Sequence, residues 1–163
     1  MVSCKKPLSR RNLMKHKSTL ALLTLTGMVW GCAGTPPDDL GIHNGQLRSC
    51  PSSPNCVNSQ SPEADEKHAI APLGYTDSQP QACNTLLSIL KEWPRATLIE
   101  QRDDYIRCEF SSAVMGFVDD VEFYFSAPGR IDVRSASRLG HSDLGVNRKR
   151  IEAIREKFAA ALP

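Results

Sequence analysis

The sequence predicts an α+β domain: a small antiparallel sheet of four or five strands with two helices packed on one face. Three observations carry that expectation. Between residues 96 and 134, apolar and polar side chains alternate in short runs separated by polar turns, the pattern of strands joined as hairpins. Two further segments, 78–93 and 146–161, place apolar residues at helical spacing instead. Those two segments flank the strand-like runs, so both helices can cover a single apolar face.

Length and composition allow one modest domain with extensions: 163 residues, 40% hydrophobic and 23% charged. The formal net charge of +2 is unevenly distributed. The first 32 residues hold six of the 20 lysines and arginines and no acid. The remainder therefore carries 14 bases against 18 acids, a net charge of −4. A domain with no excess of positive charge argues against nucleic-acid binding.

Residues 1–31 read as a signal peptide. Lys5 to Lys17 form a basic start, and Leu20 to Trp30 an apolar stretch too short for a membrane span. Val29-Trp30-Gly31-Cys32 then resembles a bacterial lipobox, with cleavage before Cys32 and acylation, palmitate included, at its thiol. Trp30 departs from the small or β-branched residue usual there. Ser9-Arg10-Arg11-Asn12-Leu13-Met14-Lys15 resembles the twin-arginine export motif, so either export route fits. Ala33 follows Cys32 where Asp would favour retention at the inner membrane, so the expected location is the outer membrane, facing the periplasm.

Residues 32–47, rich in Gly, Pro and Asp, read as a flexible tether. The domain itself is expected over 48–163. It opens with Cys50 and Cys56, with five residues between them in a Pro-containing loop. In an oxidising compartment a disulfide is the first reading and a metal site the runner-up. The spacing is not that of a zinc site, so neither metal nor cofactor is expected. Ala69 to Leu73 suits a short edge strand, because Pro72 cannot donate to an inner ladder.

Ser78 to Trp93 reads as the first helix, with Asp77 or Ser78 as cap, Pro80 in its first turn and Pro94 as its stop. Ala96 to Gln101 and Tyr105 to Ser111 make a hairpin around Arg102-Asp103-Asp104. Cys83 and Cys108 fall on apolar faces as core thiols, with a bridge between them as the alternative. Phe117 to Phe125 forms the next strand. There Asp119 falls on the apolar face and needs a partner, because an unpaired buried charge is costly. Ala127-Pro128-Gly129 turns the chain into Ile131 to Arg134. Setting Phe123 opposite Val133 puts Glu122 opposite Arg134 as a cross-strand ion pair. The last helix spans Val146 to Ala161, with Val146, Ile151, Ile154, Phe158 and Leu162 on its apolar face. Arg148, Lys149 and Arg150 stand in its first turns, where the helix dipole disfavours cations, so they answer acids elsewhere or an anionic ligand.

CPSSPNCVNS at 50–59, GFVDDVEFYF at 116–125 and IDVRSASRLGHSDLGVNRKRIEAIR at 131–155 resemble domain-of-unknown-function family 1499, here as a bacterial lipoprotein member. The resemblance spans roughly residues 41 to 162 and implies the domain without implying chemistry. Three function classes stay open. A binding module would hold a small anion with Arg134, Ser135, Ser137, Arg138, Ser142, Asn147 and Arg148, grouped around the entry to the last helix. A small enzyme would use His141 with Asp143, or Asp119 with Asp120. A structural module would meet an envelope protein, with its arginines paired to Asp119, Asp120 and Glu122 instead. The expected partners are thus the membrane, through Cys32, and either a small anion or an envelope protein.

Overall fold

A computed structural model describes residues 33–162. The leader and the acylation expected at Cys32 lie outside the described residues. The elements in chain order are β1 (Cys56–Asn58), β2 (Leu73–Gly74), α1 (Gln79–Glu92), β3 (Ala96–Gln101), β4 (Tyr105–Ser111), β5 (Val118–Ala127), β6 (Arg130–Ser137) and α2 (Val146–Ala161).

The strands form one antiparallel sheet in the order β1-β6-β5-β4-β3, with β2 also pairing with β6. The α+β architecture is as expected, but the sheet has six strands rather than four or five. The unexpected strand is β1, three residues following the Cys loop and too short to show alternation. The edge strand expected at Ala69 to Leu73 is present as β2 but keeps only Leu73 of that stretch. Together they extend the sheet beyond β6, with Cys56 opposite Ala136 and Leu73 opposite Ile131.

Alternation dictates the two faces of β4, β5 and β6. Ile106, Cys108, Phe110, Val121, Phe123, Ile131 and Val133 face α1 and α2 and join Leu86, Leu87, Leu90, Ile151, Ile154 and Phe158 in one core. Gln81 opens α1 by accepting from the amide and hydroxyl of Ser78, and Pro80 stands in the first turn, where no backbone N–H is needed. Pro94 forces an extended backbone on Trp93, which ends that helix. Cys108 is buried and unbridged, and burial pushes its thiol up to about 12. Cys83 is also a free thiol, so no bridge joins the two.

Register is as expected at the centre, with Phe123 opposite Val133 and Glu122 opposite Arg134. Asp119, on the helix-facing side, is met by Arg150 from the second turn of α2. One member of the cation run at the start of that helix is thereby answered by an acid of the sheet. Val146, expected in the core, is 47% exposed, and Asn147 takes the buried place beside it.

The largest departure concerns residues 34–47. Gly41 is buried and its amide donates to Glu122 Oε1 at 2.7 Å, while Leu47 is buried with its amide on Gln60 Oε1. This stretch is a strap lying over the face of the sheet turned away from the helices, not a free tether. A Gly/Pro-rich segment with few apolar side chains can still be ordered by its backbone donors, because a buried acceptor demands them.

Candidate functional site

The strap encloses a face of the sheet that is largely charged and yet buried. Tyr105, Asp120, Glu122, Asp132 and Arg134 are each at most 2% exposed. Glu122 accepts from Tyr105 Oη at 2.8 Å, from Gly41 N and from Arg134 Nη1 at 3.1 Å. Burial and the neighbouring Glu122 carboxylate hold the Tyr105 phenol far above its usual range, so it stays a donor. Arg138 forks onto both oxygens of Asp120 at 2.8 Å and also reaches Glu109. Those hydrogen bonds outweigh its burial and raise its pKa further, so the charge is fixed.

Where the strap crosses the end of β6, a cleft of about 220 Å³ remains. Arg48, Ser53, Asn55, Arg134 and Arg138 line it together with Asp120, the carboxylate that Arg138 neutralises, and Pro37 and Pro51 are apolar walls. The Cys50–Cys56 disulfide closes the loop carrying Pro51, Ser53 and Asn55. His68 pins the same loop, with Nδ1 2.7 Å from Asp65 and Nε2 3.1 Å from the Ser53 carbonyl. Arg134 uses one amino group on Glu122, while its Nε is buried and has no hydrogen-bond partner among the described residues.

Of the seven residues expected to surround an anion, Arg134, Ser137 and Arg138 line the cleft and the other four do not. Alternation along β6 sends Arg134 to the cleft face with Arg138 just beyond the strand end, and Ser135 to the helix face, where Asn147 also takes the hydroxyl of Ser137. On that second face Asn147 is the hub. It accepts from Ser135 Oγ at 2.5 Å and donates to the Asn55 carbonyl, Ser137 Oγ and Asp143. Ser142 Oγ accepts from Leu144 N, a contact within its own turn. Arg148 binds the carbonyls of Glu66, Lys67 and Ala69 rather than any acid.

Neither pair expected for catalysis, Asp119 with Asp120 or His141 with Asp143, is joined by a hydrogen bond among the described residues, and His141 is exposed. Asp119 and Asp120 are successive residues of one strand and face opposite sides, with Arg150 and Arg138 as their respective partners. Asp143 is occupied in capping α2, accepting from Gly145 N at 3.0 Å and Asn147 N at 2.7 Å. No group of three or more His, Cys, Asp or Glu side chains that could hold a metal occurs among the described residues. Sequence reasoning missed Arg48, Ser53 and Asn55 as cleft residues. The only signal for them was their closeness to Cys50 and Cys56.

Fold and cleft together define a single α+β domain whose charged sheet face is closed by its own N-terminal strap. The chain belongs to the family described as protein of unknown function (DUF1499), which it matches over residues 46–158. No curated protein and no solved structure matches it.

Proposed function

We propose that this protein is a non-catalytic binding module of the bacterial envelope. In this reading it is anchored through acylated Cys32 at the outer membrane, faces the periplasm and takes a small oxyanion, a carboxylate or phosphate, in the cleft under the strap. The leader and its lipobox-like end support the anchor, and the Cys50–Cys56 bridge suits an oxidising compartment. The observation that carries the ligand class is Arg134. A buried guanidinium N–H without an acceptor is costly, and an oxyanion entering beside Arg48 and Arg138 supplies one. Arg134, Ser137 and Arg138 keep their place from the anion set expected from sequence, and Arg48, Ser53 and Asn55 join them.

Native mass spectrometry of the mature chain with inorganic phosphate, and separately with acetate, tests this. A one-to-one adduct is expected. Arg48→Ala weakens it about tenfold, the loss of one charge-assisted hydrogen bond, without touching the buried ion pairs. The absence of any adduct at millimolar anion, or an adduct indifferent to Arg48→Ala, would overturn the reading.

A further inference from the structure

Among the described residues, five of the seven large apolar side chains left in solvent lie at one end of the sheet, the other two being Leu98 and Ile99 on β3. Val114 is 93% exposed, Leu144 85%, Met115 58%, Val146 47% and Leu139 45%. The register brings them together. The 112–117 loop joins β4 to β5 where Ser111 stands opposite Val118. Arg138 N donates to Val118 O, so the β6–α2 connection, with Leu139 and Leu144, leaves from the same end. Val146 shares a cleft with Ser111 and Ser112. Leu144 also holds a left-handed backbone, φ 55°, unfavourable for a residue with a γ-branched side chain. Nothing inside the fold recovers that cost, since the side chain touches mostly solvent.

The strap begins at this same end. Gly34 passes so close to the β6–α2 connection that a Cβ there would come within 3.0 Å of Leu139 Cγ and Arg138 Cβ. One residue, Ala33, separates it from Cys32, so two chain steps give a reach of at most about 7 Å. An acyl chain on Cys32 therefore sets this end, and no other, against the bilayer. The exposed cations Arg95 and Lys149 line the cleft beside Val146, suited to anionic headgroups. Among the described residues no helix is long and apolar enough to cross a membrane, so contact is with the surface.

We infer that the end of the sheet formed by Val114, Met115, Leu139, Leu144 and Val146 is a lipid-docking rim. It lies on the bilayer that carries the chain's own anchor and turns the far end, with the β5–β6 turn, outward. A single acyl chain binds reversibly, and an apolar rim with cations is the kind of second signal that makes attachment lasting. The inference rests on the anchor proposed above, so its test separates the two.

The acylated full chain is placed in vesicles of phosphatidylethanolamine and phosphatidylglycerol. Hydrogen exchange is compared with that of the Val114→Glu, Leu144→Glu double variant in the same vesicles. Both sites are exposed, so the variant folds. Expected is exchange at least tenfold slower in 112–117 and 139–146 of the unsubstituted chain, with equal exchange in the far turn, 127–130. Equal exchange in the two loops, on a chain whose mass shows acylated Cys32, overturns the rim and leaves the anchor standing. A mass without acylation overturns both. Protection that fades when the chain is diluted in lipid assigns the rim to a second copy and overturns the lipid surface.

Discussion

Glu122 and Arg134 meet at 3.1 Å across β5 and β6, on the side of the sheet away from the helices, with side chains 0% and 2% exposed. The pair is also where the N-terminal strap is fastened, because Gly41 N donates to the same carboxylate. A buried pair of this kind contributes little against an apolar replacement of similar shape, but removing one partner leaves a charge stranded. Arg134→Met is expected to cost about 3–5 kcal/mol in urea unfolding. Adding Glu122→Gln removes the stranded charge and keeps an acceptor for Tyr105 and Gly41, so it should recover more than half of the loss. No recovery in the double variant would mean that the pair's role is packing rather than charge balance.

Asn147 binds β6, the Cys loop and the α2 cap through one side chain. Replacing it with Ala leaves the Asn55 carbonyl and two serine hydroxyls short of partners in a buried place. The expected cost is about 2–3 kcal/mol, on the scale of one or two lost buried hydrogen bonds. Asp143→Ala, which removes the cap and one of the three acceptors of the Asn147 amide, should cost about 1 kcal/mol. Thermal unfolding of the two variants should therefore rank Asn147→Ala well below Asp143→Ala.

Asp132 supplies an acid limb to the stability curve. Burial opposes its charge, but hydrogen bonds from Arg130 and Ser59 overcome this and hold its pKa below the usual carboxylate value of 3.8. The folded state therefore favours the ionised form. Its contribution is full above the unfolded value and is lost as pH falls through the lower folded one. Unfolding free energies between pH 2 and 6 should fall steeply below about pH 4. Asp132→Asn should flatten that fall while lowering stability at pH 6.

The disulfide closes a loop with a sequence separation of six residues. Chain-entropy reasoning gives about 2 kcal/mol for so short a loop, less than a long one would gain. Reduction is thus expected to lower stability modestly and leave the sheet folded. Because the same loop walls the cleft, phosphate retention should suffer more than the unfolding midpoint. Circular dichroism and native mass spectrometry on one reduced sample would separate the two effects.

Much of the fold was readable because β4, β5, β6 and both helices obey a period of two or of 3.6, and each carries enough residues to show it. The same alternation foretold the Glu122–Arg134 pair and required a partner for Asp119, although not its identity as Arg150. The strap was misread for a definable reason. Its decisive contact is a backbone N–H at Gly41, and a main-chain donor leaves no mark in side-chain patterning. The anion set was misgrouped because residues adjacent in sequence were treated as adjacent in space. Ser135 faces one side of β6 and Arg134 the other, while Arg48 and Asn55 arrive from the far end of the chain.

The Gly41–Glu122 hydrogen bond spans 81 residues. Synthesis delivers the strap first and the strands that receive it last, so the earliest part of the domain to be made is among the last to find its place. Until β5 and β6 are assembled, Gly41 has no acceptor, and until Gly41 arrives, Glu122 lacks one of its donors. Closing so distant a contact is slow compared with forming the hairpins. The step that seats the strap is therefore the step that seals the sheet.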